Sequence, residues 1–205
     1  GSYITTGIRL SHHELNVTNL SQAEEIILGL KPEVIIHLAA ATDMGQCEED
    51  RDFAYRVNAI GTYHMALLSR KVGAKLVYMS TNAVFDGNKE GPYVPEDTPR
   101  PVNTYGHSKY LGELAALGMH ARNLVIRSSW IFGGGSEKDK KFVGKVIPKF
   151  RAGDPISAVH DVRGTPTYGK DLVAALEKVI ADRVSGIIHI VNGGNASRYE
   201  MALVM

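Results

Sequence analysis

Val34-Ile35-Ile36-His37-Leu38-Ala39-Ala40 is a nearly continuous apolar run that closes on two alanines. A run of this kind suits a strand covered on both faces, which is the situation of a strand inside a parallel sheet. Downstream, Glu48 to Arg70 carries Phe53, Val57, Ile60, Met65 and Leu68 at roughly helical spacing, and Lys71-Val72-Gly73 supplies a stop. Lys75-Leu76-Val77-Tyr78-Met79-Ser80-Thr81 is strand-like again and ends in two hydroxyl residues. The irregular stretch from Asn82 to Asn103 follows, and a loop of that length usually has a functional role.

The same rhythm continues to the end of the chain. The pattern predicts a helix from about Thr104 to Ala121, a strand from Asn123 to Trp130, a loop through Gly133-Gly134-Gly135 and a helix near Phe142 to Ala152. A short strand at Ile156 to Val159, a helix from Gly169 to Ala181, a strand from Ile187 to Val191 and a helix opening at Arg198 complete it. Alternating βα units predict a doubly wound parallel sheet of Rossmann-like type, whose ligands lie beyond the carboxyl ends of the strands. Leu38-Ala39-Ala40, Ser80-Thr81 and Ser128-Ser129-Trp130 each close an apolar run, so three strand ends are expected to converge on one crevice.

A chain of 205 residues suffices for one α/β domain with a small appended lobe. Its formal net charge of +1 provides no broad field to gather nucleic acid or acidic lipid. The single cysteine, Cys47, has no internal disulfide partner, and no apolar run approaches the ~20 residues of a membrane span, so the cytoplasm is the expected location. His12-His13, His107 and His160-Asp161 show no closed ligand spacing, and no metal site is expected. The chain also lacks the Gly-x-Ser-x-Gly turn of a serine hydrolase.

Tyr105-Gly106-His107-Ser108-Lys109 places a phenol and an ammonium on one face of a predicted helix. A carbonyl that receives hydride needs a proton on its oxygen. A phenol with a pKa near ~10 serves poorly at neutral pH until a nearby cation stabilises its phenolate. Lys109 can supply that cation, and the Thr81 hydroxyl can hold the substrate oxygen. Taken alone, the spacing more often describes a helix surface with a solvated lysine. A strand ending Ser80-Thr81, then a long proline-bearing loop, then the pair form a more particular order.

Over roughly Glu14 to Met201 the chain resembles the extended short-chain dehydrogenase/reductase superfamily, and within it the dTDP-4-dehydrorhamnose reductase family. The resemblance is carried by Glu14-Leu15-Asn16-Val17-Thr18-Asn19, His37-Leu38-Ala39-Ala40-Ala41-Thr42, Val57-Asn58-Ala59 and Ser80-Thr81-Asn82-Ala83-Val84-Phe85-Asp86-Gly87. Pro92-Tyr93, Tyr105-Gly106, Ser108-Lys109, Gly112-Glu113, Arg127-Ser128-Ser129-Trp130, Gly164-Thr165-Pro166-Thr167 and Ile188-His189 continue it in order.

The resemblance implies an NADPH- or NADH-dependent reductase of a nucleotide-linked 4-keto sugar. Tyr105 would be the proton donor, Lys109 its electrostatic partner and ribose ligand, and Thr81 the carbonyl-orienting hydroxyl. Leu38, Ala39 and Ala40 would run along the cofactor, Asn16 and Val17 would approach the adenine, and Ser128 and Ser129 would lie near the nicotinamide. Thr42, Ala83, Trp130 and Arg163 would face the substrate, with the Arg163 fork available to a diphosphate. Residues 1–130 would form the cofactor-binding core, and 131–205 a mixed segment giving a substrate lobe and the last sheet strand.

The chain departs from the family at two places. The family's Asp-Tyr after Ser-Thr is Asn82-Ala83 here, and its Asp-Gln before the late glycine is Asp161-Val162-Arg163. Ala83 removes an aromatic hydroxyl from the sugar side. The glycine-rich strand-to-helix turn that cradles a pyrophosphate is not found, so the chain reads as part of a longer protein. Gly1-Ser2-Tyr3-Ile4 reads either as an added leader or as the tail of that turn. Two alternatives stay open: an epimerase or dehydratase of the same superfamily, and a non-catalytic regulatory subunit that keeps the fold. The sequence decides neither the NADH or NADPH preference nor whether the protein is a homodimer.

Overall fold

The computed structural model describes residues 7–135, 139 and 141–205, so Gly1-Ser2-Tyr3-Ile4 lies outside the described residues. These residues divide into two compact units. One comprises 8–127 and 184–189; the other comprises Gly7 and the described residues of 128–183 and 190–205.

The first unit is built on the parallel sheet that the apolar runs predict. Strand β1 (Val34–His37) lies beside β2 (Lys75–Thr81), β2 beside β3 (Leu124–Ser128), and β3 beside β7 (Gly186–His189). Ile35 is in parallel register with Leu76, and Val125 with Ile187. All five residues of β3 are buried: Leu124, Val125 and Ile126 are apolar, and Arg127 and Ser128 close the strand.

Helix α1 (Leu20–Leu30) precedes β1, α4 (Gly61–Val72) crosses from β1 to β2, and α5 (Thr104–Met119) crosses from β2 to β3. Ala23 and Ile27 of α1, Met65 and Leu68 of α4, Ala116 of α5, and Ile35, Leu76, Tyr78 and Val125 of the sheet form one core. Gly73 ends α4 at φ 74°, a left-handed position that glycine takes without penalty.

The expected helix from Glu48 to Arg70 forms as one continuous helical run from Arg51 to Val72 with a π-helical turn inside it, and its first residues belong instead to a separate short helix that ends before Asp50. The short helix is α2 (Met44–Glu49), and the run consists of α3 (Arg51–Tyr55), the π-helical turn (Arg56–Ile60) and α4. The one break is at Asp50, whose carboxylate accepts from Phe53 N–H at 2.8 Å and opens α3, as that of Asp43 accepts from Gln46 N–H at 3.1 Å and opens α2. The loop after β2 opens with a 3-10 turn (Asn82–Val84) and otherwise stays irregular to Asn103.

The second unit contains β4 (Ile131–Phe132) paired with β6 (Thr167–Tyr168), and β5 (Arg163–Gly164) paired with β8 (Ala196–Ser197). Its helices are α6 (Phe142–Ala152), α7 (Gly169–Ala181) and α8 (Arg198–Leu203). The strand expected at Ile156 to Val159 does not form. Pro155 removes a ladder donor, and the Val159 carbonyl accepts from Tyr199 N–H at 3.0 Å. No helix among the described residues is long and apolar enough to cross a membrane.

Candidate active site

Two elements of the sheet unit bring the proton-handling residues together. β2 ends at Thr81, which is buried, and α5 begins at Thr104, so Tyr105 and Lys109 occupy its first two turns. Asn103 starts α5 by accepting from Gly106 N–H at 2.7 Å. Gly106 is required there, because a Cβ would stand 2.1 Å from the Ala83 carbonyl oxygen. Only glycine lets the first turn of α5 approach the turn that follows Thr81.

The Tyr105 ring packs against Ala41, Cys47 and Ala54. Burial raises its pKa, and a side-chain hydrogen bond with Thr81 acts in the opposite sense. Its neighbour Ser80 donates to Glu113 at 2.5 Å, while the Thr81 hydroxyl donates to Asn82 Oδ1 at 3.5 Å. The Thr81 Oγ also accepts from Ala83 N–H at 3.2 Å, which fixes its rotamer over the 3-10 turn.

Lys109 is only 2% exposed and does not form the solvated helix surface that the bare spacing allows. Its Nζ donates to the Met79 carbonyl at 2.6 Å and stands 4.1 Å from the centroid of the Tyr78 ring. Burial pushes its pKa down to about 7, while the nearby Glu113 carboxylate acts to raise it. The group is therefore a cation held near its point of deprotonation, beside a phenol that burial keeps neutral.

Several supporting residues lie inside the motifs that carry the resemblance, but the sequence assigns them no role. His37, buried at the end of β1, stacks on Tyr78 and faces the Thr62 hydroxyl at 3.1 Å. Since Thr62 Oγ donates to the Asn58 carbonyl at 2.7 Å, it accepts from His37 Nε2, which assigns the ring proton. Burial, together with the Lys109 charge, drives the His37 pKa down to about 3, so the ring stays neutral.

Asn58 sits in the π-helical turn, a form that recurs at functional sites. Its side chain accepts from Ala41 N–H at 2.9 Å and donates to the Ala41 carbonyl at 3.0 Å and the Ser108 hydroxyl at 2.9 Å. It thereby ties the segment after β1 to the helix that carries Tyr105. The one available signal was an amide inside Val57-Asn58-Ala59, a stretch otherwise suited to a core. Glu113 and Arg127 form a buried bidentate pair at 2.9 and 2.7 Å, and Arg127 also donates to the Pro95 carbonyl at 3.1 Å.

The other expected site residues of this unit differ in availability. Leu38 and Ala39 are exposed beyond β1, Ala40 is half-buried, and Thr42 is exposed just before α2. Ala83 is half-buried in the 3-10 turn. Asn16 spends its side-chain oxygen on Thr18, accepting from its N–H at 3.0 Å and its hydroxyl at 2.8 Å. Val17 is buried against Gly61, and its carbonyl faces His64 Nδ1 at 2.9 Å.

Four expected residues belong to the second unit. Ser128 Oγ is buried without a hydrogen-bond partner, and Ser129 Oγ accepts from Thr165 N–H at 3.4 Å. Trp130 has φ 41°, an unusual position for a bulky residue, and stacks beneath the Arg198 guanidinium at 3.9 Å. Gly164 packs on the Trp130 ring so closely that a Cβ would approach Cε2 to 2.5 Å. Arg163 is exposed but occupied: it donates to Asn195 at 2.8 Å and pairs with Glu200 at 3.0 Å. Among the described residues, no group of three or more His, Cys, Asp or Glu could hold a metal.

The chain is similar to known proteins in sequence and fold. A family model described as RmlD substrate binding domain matches residues 5–205. The chain is 37% identical over 201 residues to a dTDP-4-dehydrorhamnose reductase of Mycobacterium tuberculosis (strain CDC 1551 / Oshkosh), covering 95% of this chain and 64% of that protein. It is 34% identical over 195 residues to the spore coat polysaccharide biosynthesis protein SpsK of Bacillus subtilis (strain 168), covering 95% and 68%. The crystal structure of dTDP-4-dehydrorhamnose reductase from Bacillus anthracis str. Ames in complex with NADP superposes with a TM-score of 0.90 at 38% identity, covering 95% of this chain and 69% of that one. The chain thus spans about two thirds of the length of the proteins it matches.

Proposed function

The chain belongs to the RmlD substrate binding domain family, and from that premise we propose that it is the larger part of an NAD(P)H-dependent reductase that converts a dTDP-4-keto-6-deoxy sugar, dTDP-4-dehydrorhamnose, to dTDP-rhamnose. The observation that carries this reading is that Thr81 ends β2 where the first turn of α5, bearing Tyr105, closes on the turn after it through Gly106 and Ala83, with Lys109 buried one turn along α5.

The residues beyond β1 and β3 fit a dinucleotide. Leu38 and Ala39 offer an open apolar edge, and Ser128 has a buried hydroxyl with no protein partner to satisfy it. When bound, reduced nicotinamide supplies the hydride. Thr81 donates to the substrate carbonyl oxygen and orients it. Tyr105 gives its phenolic proton to that oxygen, so the ketone gains one hydride and one proton and leaves as the alcohol. The Lys109 cation lowers the cost of the phenolate that remains, and solvent reprotonates the phenol for the next turnover.

Residues 1–130 supply the cofactor core, while 131–205 give the substrate lobe and the last sheet strand. Thr42 lies on the substrate side. Because Arg163 is held by Glu200 and Asn195, it reaches a diphosphate only after exchanging those partners. Cytoplasmic placement follows from the same reading, and sedimentation of the full-length protein tests the homodimer.

The decisive experiment is oxidation of NADPH and NADH by the full-length protein with dTDP-4-dehydrorhamnose, alongside Tyr105→Phe. Net cofactor oxidation lost in Tyr105→Phe supports the reading. Isomerisation of the sugar without net oxidation would favour an epimerase, and biological activity unchanged in Tyr105→Phe would favour a non-catalytic subunit.

A further inference from the structure

The first four amides of a helix have no partner within it, so something outside must hold them. At the start of α5, Asn103 satisfies the N–H of Gly106 at 2.7 Å. Thr104 is satisfied from a different element. One carboxylate oxygen of Glu48, on α2, accepts from Thr104 N–H at 2.6 Å, and the other accepts from the Thr104 hydroxyl at 2.7 Å. Both oxygens of one side chain are thus spent on the residue immediately before Tyr105. These bonds hold the Glu48 carboxyl below its ordinary pKa, and Arg51, 3.5 Å away, adds a smaller effect in the same direction.

The turn that Glu48 grips also meets the segment after Thr81. Gly106 touches the Ala83 carbonyl so closely that no side chain fits between them. The Tyr105 ring lies against Ala41, Cys47 and Ala54, and Cys47 is the neighbour of Glu48 on α2. The opening of α5 is therefore set by α2 through Thr104 and by the 3-10 turn through Gly106. A shift of this turn moves the phenol relative to Thr81 without disturbing the apolar core that holds the far end of the helix.

We propose that Glu48 is a positioning residue for Tyr105: by gripping Thr104 with both carboxylate oxygens it sets the first turn of α5, and with it the place where the phenol meets Thr81 and the substrate carbonyl. This rests on Tyr105 being the proton donor. Glu48 touches none of the reacting atoms and acts through Thr104. Because Asp43, which caps α2, follows Thr42 in the segment after β1, the same short helix connects that segment to the catalytic helix.

The test compares Glu48→Ala, Glu48→Gln and Thr104→Val in the full-length protein. A misplacement of ~1 Å can cost ~10²-fold in rate, so a loosened turn is expected to lower kcat by about tenfold in Glu48→Ala. KM for NADPH should stay within about twofold. Glu48→Gln should recover most of the rate, because its amide oxygen accepts from Thr104 N–H and its NH₂ donates to the Thr104 hydroxyl. Thr104→Val, which loses one of the two bonds, should fall between. The ultraviolet titration of Tyr105, isolated by subtracting the same variant carrying Tyr105→Phe, should shift in Glu48→Ala and return in Glu48→Gln.

Wild-type kcat and wild-type Tyr105 titration in Glu48→Ala would overturn the proposal. So would a loss in Glu48→Ala that Glu48→Gln shares in full. If the wild-type protein fails to turn over the sugar, the functional reading fails, and the Tyr105 titration alone decides the role of Glu48.

Discussion

Glu113→Ala is expected to cost more stability than any other single change on the face of α5. Glu113 and Arg127 have side chains 1% and 3% exposed, so water cannot replace a lost partner. One carboxylate oxygen accepts from Arg127 Nε at 2.9 Å and from Ser80 Oγ at 2.5 Å, and the other accepts from Arg127 Nη2 at 2.7 Å. Removing the carboxylate leaves a buried guanidinium with one remaining acceptor, the Pro95 carbonyl at 3.1 Å, beside the face of Phe85.

Breaking a buried pair from one side costs about 3–5 kcal/mol, chiefly through the unpaired charge. In a domain of this size each kcal/mol lowers Tm by roughly 2–4 °C, so the expected fall is about 6–20 °C. Replacing both partners, as Glu113→Leu with Arg127→Met, removes the charge and should restore at least half of the loss. Urea titration and thermal scans of the wild type, both single variants and the double variant complete the cycle. The reasoning is refuted if Glu113→Ala lowers Tm by less than about 3 °C, or if the double variant is no more stable than the singles.

Lys109 loses its proton near pH 7 because burial depresses its pKa, so kcat/KM for reduction should decline as pH rises through about 7, and Lys109→Arg, which stays charged, should move that limb upward. A profile that rises across this range would contradict the role of the cation. His37 has a folded pKa of about 3, below its ordinary value of 6.5, so the unfolded chain binds the extra proton between these values and stability should fall as pH drops through this window. His37→Gln should flatten the slope, and NMR should show no titration of the His37 ring between pH 5 and 8 in the folded protein. Gly106→Ala drives a Cβ to 2.1 Å from the Ala83 carbonyl and should destabilise the protein by about 1–3 kcal/mol while lowering kcat; unchanged urea midpoint and rate would show that the close approach is unimportant.

The apolar runs at Val34 and Lys75 made the parallel sheet legible because a strand buried on both faces has no room for alternating polar residues. Within the Glu48 to Arg70 segment the helix was legible from Arg51 onward, but a periodicity of apolar residues does not report that Asp50 bends its side chain back to cap Phe53 N–H, nor that Arg56–Ile60 winds as a π turn. The short pairings of β4 with β6 and β5 with β8 were not readable at all, since two-residue strands carry no period.

The site divides along the same line. By itself the sequence determined the order of chemical groups along the chain: a hydroxyl closing one apolar run, then a phenol and an ammonium a helical turn apart. That order survives folding because local periodicity controls which residues share a strand end or a helix face. Only the tertiary structure decided what those groups are worth chemically. The charge on Lys109 is poised near pH 7 because Tyr78, His37 and the Met79 carbonyl, contributed by strands far away in sequence, surround it and exclude water. The place of Tyr105 depends on Glu48 and Gly106 meeting neighbours from two other elements. Desolvation and close approach are properties of a packed interior, and no short window of sequence contains them.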